Sequence, residues 1–289
     1  MILIADGGST KVEWALVEGG QVVKTFETEG VNPIQQSGEE IAETLREALN
    51  PEKTGAVEAV YYYGAGCKYE EPRRTMEDVL RTLTGAGKII VESDMKGAAI
   101  AALGDRRGMV GILGTGANSC CYDGVVIREN ISPLGYILGD EGSGADIGKT
   151  VLKCVLRGYC GEEMKTKLIR YMRMSEGDII KKVYSKEGTG AFLASVVGFV
   201  KENRESKYME LIVKSRLKEY VGSTLGCYPE EYKRCGVAFV GGIATEFEKE
   251  LREVCEGGGI KVIKVIKRPI EGMAEYHGQK KEANGVHIS

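Results

Sequence analysis

The sequence predicts an α/β protein that uses one pattern twice, βββαβαβα, with a helical insertion in the second copy. Three observations predict it. Apolar runs at residues 1–5 and 109–113 each lead into a glycine turn, a second strand and a glycine hairpin. After each triple, helical periodicity alternates with short strand-like runs. A polar break, Gly104-Asp105-Arg106-Arg107-Gly108, separates the two copies.

Taken in order, residues 1–5 form an apolar strand ending at Asp6, and Gly7-Gly8-Ser9-Thr10-Lys11 turns into a second strand at 12–17. Glycines let the backbone reverse and approach a ligand with no Cβ in the way. Glu18-Gly19-Gly20-Gln21 turns into a third strand at 22–26. Ser37-Gly38-Glu39-Glu40 has the serine–glutamate spacing of a capping box. Ile41, Leu45, Ala48 and Leu49 follow at helical spacing, and Asn50-Pro51 is expected to end that helix. Strands at 57–63 and 88–92 flank a helix at about 73–84, and a small-residue helix at 96–103 follows Ser93-Asp94. The second copy has strands at 109–113, 118–122 and 125–129, with a type I′ hairpin expected at Asp123-Gly124. A helix at about 145–157 and helical segments to about 220 precede a strand at 236–240. A helix at about 246–255, a strand at 260–266 and a final helix at about 271–281 complete the chain. The expected division is residues 1–107, rejoined by the last helix at about 271–289, and residues 108–270, with the insertion at about 159–222.

A net charge of −3 gives no electrostatic basis for nucleic-acid binding. No apolar stretch approaches the roughly 20 residues that span a bilayer. The first residues lack a basic n-region and reach Asp6 too soon for a signal peptide. A soluble cytoplasmic protein without nucleic-acid or membrane partners is expected. The eight cysteines are irregularly spaced with no C-x-x-C pair, and buried thiols are expected. The two histidines, His277 and His287, lie near the C-terminal end, which disfavours a His-based zinc site or a Ser-His-Asp triad.

Several residues could carry chemistry. Asp6 can hold a divalent cation, usually through water. The turn's N–H groups, Ser9, Thr10 and Lys11 can donate to phosphate oxygens; the alternative is a plain hairpin capped by Asp6. Gly114-Thr115-Gly116-Ala117-Asn118 repeats that logic at the matching place in the second copy, so the two turns read as a paired phosphate clamp across a cleft. Asn118, both donor and acceptor, suits a polyhydroxyl substrate. Asp94 is either a helix cap or a carboxylate placed to take a proton from an attacking hydroxyl. Gly139-Asp140-Glu141-Gly142-Ser143-Gly144 is either a loop with acidic residues at a helix N-terminus or a site for sugar hydroxyls or metal-bound water. Gly241-Gly242-Ile243 fits a purine lying on backbone or an ordinary strand-to-helix turn. Asn32, before Pro33, is a turn residue or a substrate contact.

DGGSTK at 6–11, GTGAN at 114–118 and GGI at 241–243 resemble the phosphate-1, phosphate-2 and adenosine motifs of the actin, sugar-kinase and Hsp70 superfamily. ESDMKGA, ILGTGANS and LGYILGDEGSGADIG together resemble the N-acetylglucosamine kinases and the related BadF/BadG/BcrA/BcrD-type ATPases, over most of the chain. The resemblance implies a two-lobed actin-like ATPase (ribonuclease H-like) fold. It implies ATP and Mg²⁺ as cofactors and phosphoryl transfer to the 6-hydroxyl of an amino sugar, N-acetylglucosamine foremost. It further implies Asp94 as catalytic base, with Gly7, Gly8, Ser9, Thr10, Lys11, Gly114, Thr115, Gly116, Gly241 and Gly242 around the nucleotide. Asn32, Asn118 and Asp140 fall on sugar positions, and Asp6 on the metal, a position where similar sugar kinases vary. Family members close over the sugar and are often homodimers. The alternative is an ATPase activator of a 2-hydroxyacyl-CoA dehydratase or benzoyl-CoA reductase, whose iron–sulfur cluster needs cysteines. Adjacent Cys120 and Cys121 would lie on opposite faces of a strand, a poor arrangement for one cluster. A non-enzymatic nucleotide switch of the actin type would need no base at Asp94.

Overall fold

A computed structural model describes residues 1–8, 11–185 and 188–285, with side chains up to residue 279. Two five-stranded sheets carry the architecture, and their topologies match strand for strand. In the first, β1 (Ile2–Gly7), β2 (Lys11–Glu18), β3 (Gln21–Glu29), β4 (Ala59–Gly64) and β5 (Lys88–Ser93) lie in the order β3-β2-β1-β4-β5. In the second, β6 (Gly108–Leu113), β7 (Ala117–Tyr122), β8 (Ile127–Glu129), β9 (Val237–Val240) and β10 (Val262–Ile266) lie in the order β10-β9-β6-β7-β8. Each sheet has two antiparallel pairings made by hairpins and two parallel pairings made by helical crossovers. The duplicated βββαβαβα order read from the sequence is the order observed.

Contacts group the chain into two compact units. The first comprises Met1–Arg106, Gly124–Val126 and the segment beginning at Arg268. One face of its sheet is covered by helices Gly38–Arg46 and Glu70–Thr84, over a core that includes Leu3, Trp14, Leu45, Val60, Met76 and Leu80. Its other face takes helices Asp94–Leu103 and Pro269–Gly285, and buries His277 against the ring of Tyr61 and the hydroxyl of Tyr63, 2.8 Å from Nε2. The second unit comprises Arg107–Asp123 and Ile127–Lys267. Eight helices longer than one 3₁₀ turn lie between β8 and β9 among its described residues, and its core includes Leu113, Ile147, Phe199, Leu217 and Phe239.

Some local expectations change. Pro51 begins a short helix, Pro51–Thr54, with Asn50 accepting from the Glu52 N–H, because proline fits a first helical position. The helix expected at 246–255 is two helices, Gly242–Glu246 and Glu248–Gly257, broken at Phe247, whose buried ring anchors the break. Asp123-Gly124 makes no type I′ turn. Strand pairing stops at Tyr122↔Ile127, residues 123–126 form a longer connection, and Gly124 alone of the pair has positive φ, at +101°. Gly124 leaves no room for a Cβ against the Asp105 carbonyl, and the Val125 carbonyl accepts from Lys96, so residues 124–126 belong to the first unit. None of the eight cysteines is disulfide-bonded. Five are buried, Cys154 is partly so, and Cys227 and Cys235 are exposed. No helix among the described residues is long and apolar enough to cross a membrane.

The capping box forms as read. Ser37 Oγ accepts from the Glu40 N–H at 3.3 Å, and Glu40 Oε2 accepts from the Ser37 N–H at 2.7 Å. It fixes the entry of helix Gly38–Arg46 directly after the Asn32 turn. Ser37→Ala should therefore lower stability by about 1 kcal/mol, measured as a shift in urea midpoint with unchanged slope.

Candidate active site

In a mixed sheet of this kind, ligands gather beyond the carboxyl ends of the parallel strands. In the first unit those ends are Gly7 of β1, Gly64 of β4 and Ser93 of β5, joined in register as Gly7↔Gly64 and Gly64↔Ser93. Asp6 stands one residue before the first end and Asp94 one residue after the last. The Gly8 N–H donates to the Lys11 carbonyl at 2.9 Å, closing the turn between β1 and β2. Ser9 and Thr10, expected phosphate donors, lie outside the described residues. Lys11 extends along β3 to Glu27, 2.5 Å away, an exposed pair of small energetic weight that leaves the ammonium accessible to a stronger anion.

Asp94 is not the helix cap. Ser93 takes that role, its Oγ accepting from the Lys96 N–H at 3.3 Å, and Asp94 becomes the first helical residue. Its Oδ1 accepts from the Met95 N–H at 2.8 Å. Burial pushes the Asp94 carboxyl above the usual range, against the pull of the backbone N–H groups. Asp6 is shifted further. Removal from water comes first, then the charges of Glu13 and Asp94, and together they push its carboxyl up to about 7, with Lys11 opposing. Glu13 is Asp6's cross-strand partner, so both side chains share one face. Glu13 is 6% exposed and is neutralised by Arg268, whose Nε lies 2.9 Å from Oε1. The sequence offered no signal for that pair, whose members are 255 residues apart. Among the described residues no three His, Cys, Asp or Glu side chains converge as a cation cage. A site offering one or two carboxylates suits Mg²⁺, which keeps most of its water and takes phosphate oxygens as well.

Asn32 heads a turn, with its carbonyl accepting from the N–H groups of Gln35 and Gln36 and its Oδ1 accepting from Ile34 N–H at 3.0 Å. That same Oδ1 lies beside Gly66, just past the end of β4; a Cβ on Gly66 would come within 2.3 Å of it. Asn32 is thus both the turn residue and a group at the carboxyl end of the sheet.

In the second unit, Gly114-Thr115-Gly116 joins β6 to β7. The N-terminus of helix Gly144–Leu156 docks on this turn, with Gly144 N–H to the Gly114 carbonyl at 2.8 Å and Ala145 N–H to the Thr115 carbonyl at 3.1 Å. Asp140 docks beside them, its Oδ1 accepting from the Ala117 N–H at 3.2 Å. Its backbone is left-handed, φ +58°, a conformation that non-glycine residues hold only where the surroundings fix it. Burial raises the Asp140 carboxyl above its ordinary range. Asn118 uses its Oδ1 internally, accepting from Ser119 N–H and from Asn130 Nδ2, both at 2.8 Å. With Oδ1 so used, the amide nitrogen is the group that could donate to a ligand. Asn130, which orients Asn118, was missed in the sequence; an asparagine in a loop gives no positional signal.

Gly241 packs its Cα against the Leu113 carbonyl, 2.4 Å from where a Cβ would sit, and has φ +116°. Only glycine allows that approach. It brings Gly242 and Ile243 beside Gly114 and Thr115, and the four residues line one cavity of about 440 Å³. Gly144 also lines it, and Ala194, Val197, Lys201 and Glu246 form the rest of its wall. Ala194, Val197 and Lys201 come from helices Thr189–Ser195 and Val197–Glu202, a region with no readable motif. The volume is that of a small-molecule pocket, apolar with a few polar groups.

No family model matches the chain. It is 30% identical to an N-acetylmuramic acid/N-acetylglucosamine kinase from Clostridium acetobutylicum over 232 residues, 74% of this chain and 73% of that one. It resembles the crystal structure of a proposed N-acetylglucosamine kinase from Porphyromonas gingivalis at a TM-score of 0.92 and 34% identity, over 97% of this chain and 100% of that one. A ROK family glucokinase from Streptomyces griseus, solved with glucose and AMPPNP, matches at a TM-score of 0.61 and 17% identity, over 98% and 99% of the two chains, a likeness of fold.

The Asp6 shift has a signed consequence. The unfolded carboxyl ionises near its ordinary 3.8, so between about pH 4 and 7 the folded protein keeps a proton that the unfolded chain has lost. Stability must fall as pH rises through that window and level off above it, by roughly 4 kcal/mol at most from this one group. Asp6→Asn should flatten the fall and raise the urea midpoint at pH 7.5 above wild type. A variant that keeps the wild-type pH slope would contradict the assignment.

Proposed function

Because this chain belongs to the N-acetylglucosamine kinase family, with the actin-like ATPase (ribonuclease H-like) fold, we propose that it transfers the γ-phosphoryl group of ATP to the 6-hydroxyl of N-acetylglucosamine. It is a sugar kinase, a phosphotransferase with a small-molecule acceptor. The observation that carries the nucleotide half of this reading is the single cavity lined by Gly114-Thr115 and Gly242-Ile243. Its apolar part suits a purine ring, and the glycine turn offers N–H groups to phosphate.

Phosphoryl transfer depends on in-line placement and on neutralising charge, with little covalent work for the protein. The turn at Gly7 and Gly8 with Lys11, and the turn at 114–116, supply donors to the phosphates. Asp94 orients the sugar hydroxyl and accepts its proton as the oxygen–phosphorus bond forms and the bond to the β-phosphate oxygen breaks, leaving ADP. A carboxyl raised by burial is a stronger base, which suits that role. Asn118 donates to a sugar oxygen through its amide nitrogen, Asp140 accepts from a sugar hydroxyl, and Asn32 is a further sugar contact. Asp6 would hold Mg²⁺ through water, and the cation when bound neutralises phosphate charge. The same reading takes the working form as a cytoplasmic homodimer, which sedimentation of the pure protein tests.

Three measurements test the proposal. A coupled ATP-consumption screen with Mg²⁺ over N-acetylglucosamine, N-acetylmuramic acid, N-acetylmannosamine, glucosamine and glucose should give the highest kcat/KM with the first, and a better acceptor among the others would reassign the sugar. Asp94→Asn should lower kcat by about 10²–10⁴-fold with ATP binding retained; near-normal turnover would remove Asp94 as base. Asn118→Ala should raise KM for the sugar about five- to tenfold and leave KM for ATP unchanged.

A further inference from the structure

The side-chain amide of Asn118, on β7, has its polarity set by its neighbours. Its Oδ1 lies 2.8 Å from the Ser119 backbone nitrogen, which can only donate, so that end of the amide is the oxygen. A second donor, Asn130 Nδ2, reaches the same Oδ1 at 2.8 Å. The amide of Asn130 is fixed by the same logic. Its Nδ2 lies 2.7 Å from the Ser119 carbonyl and 3.3 Å from the Ile131 carbonyl, which can only accept, so that end is the nitrogen. Polarity therefore passes from the backbone to Asn130, and from Asn130 to Asn118.

Two buried tyrosines lock this frame. Tyr228, 1% exposed, accepts from the Ile131 N–H at 3.1 Å and shares a hydrogen bond of 2.7 Å with Ser119 Oγ. It ties β7 to the segment after β8 that carries Asn130. Tyr220 donates from its hydroxyl to the Asn118 carbonyl at 3.0 Å. Burial pushes both phenols up, so both hydroxyls keep their protons. Asn118 is thus held at its backbone and at its side chain, and a connected network of buried bonds holds one geometry.

The bonds to backbone groups serve the local fold. The bond from Asn130 to Asn118 joins two side chains, and it settles which end of the Asn118 amide a ligand meets. We propose that Asn130 is a positioning residue for the sugar: it commits Asn118 to the role of donor. The acceptor sugar must then present a lone pair at that place, as a hydroxyl, ether or carbonyl oxygen does, and a group that can only donate, such as an ammonium, is rejected there. The inference rests on the kinase reading above, in which Asn118 contacts the sugar.

Two variants test its two parts. Asn118→Asp keeps an oxygen for Ser119 and Asn130 and exchanges only the donor for an acceptor. KM for N-acetylglucosamine should rise at least as far as in Asn118→Ala, about five- to tenfold; a wild-type KM would overturn the donor role. Asn130→Ala should raise that KM about fivefold and leave KM for ATP unchanged. In an Asn118→Ala background it should add less than about twofold, because nothing is left to position. Tyr228→Phe keeps the ring and loosens the same frame; it should behave alike, and it replaces Asn130→Ala if that variant does not fold. Equal rises with and without the Asn118 side chain would mark a merely structural role and overturn the inference. So would a wild-type KM in Asn130→Ala. If Asn118→Ala itself left KM for the sugar unchanged, the reading of Asn118 as a sugar contact would fall, and this inference with it. A wild-type protein that phosphorylates no sugar would overturn the kinase reading as a whole.

Discussion

The arrangement of the first unit depends on holding like charges together out of water. Asp6, Glu13 and Asp94 gather near the carboxyl ends of one sheet, and burying ionised carboxylates side by side is unfavourable unless each is paired, hydrogen-bonded or protonated. Each meets the constraint differently. Glu13 takes Arg268, Asp94 takes the Met95 N–H, and Asp6 keeps its proton up to about pH 7.

The second unit has the complementary chemistry. Its turns are built from backbone packed on backbone. The N-terminus of helix Gly144–Leu156 and the side chain of Asp140 both close on the Gly114–Ala117 region, and Gly241 presses on the end of β6. Gly114, Gly144 and Gly241 stand where these segments touch, so the segments come close enough to share a pocket. A kinase needs both halves of this chemistry, carboxylates for the proton and cation and amide donors for phosphate. The sheet topology is nevertheless the same in the two copies.

Much of the candidate site was legible in the sequence. The glycine turns, the small-residue helix after Ser93 and the acidic glycine loop all stand where local pattern put them. Less legible was the division of labour between neighbours. Ser93 and Asp94 are equally good caps by residue type, and only the fold shows that Ser93 caps and Asp94 is thereby available. Helices Thr189–Ser195 and Val197–Glu202 wall the cavity with Ala194, Val197 and Lys201, residue types that local pattern does not single out.

The sequence by itself determined the order of elements, the duplicated sheet, the turn positions and the capping box, because periodicity and turn chemistry act over a few residues. Tertiary structure alone decided which charges meet. Glu13 finds Arg268 across most of the chain, Asp140 finds the Ala117 N–H, and Asp6 is shifted first by burial and then by its strand neighbour Glu13. Those contacts follow from strand register and from where a loop comes to rest, and the electrostatic environment of a carboxylate is set by what lies within a few ångströms in space, whatever its distance along the chain.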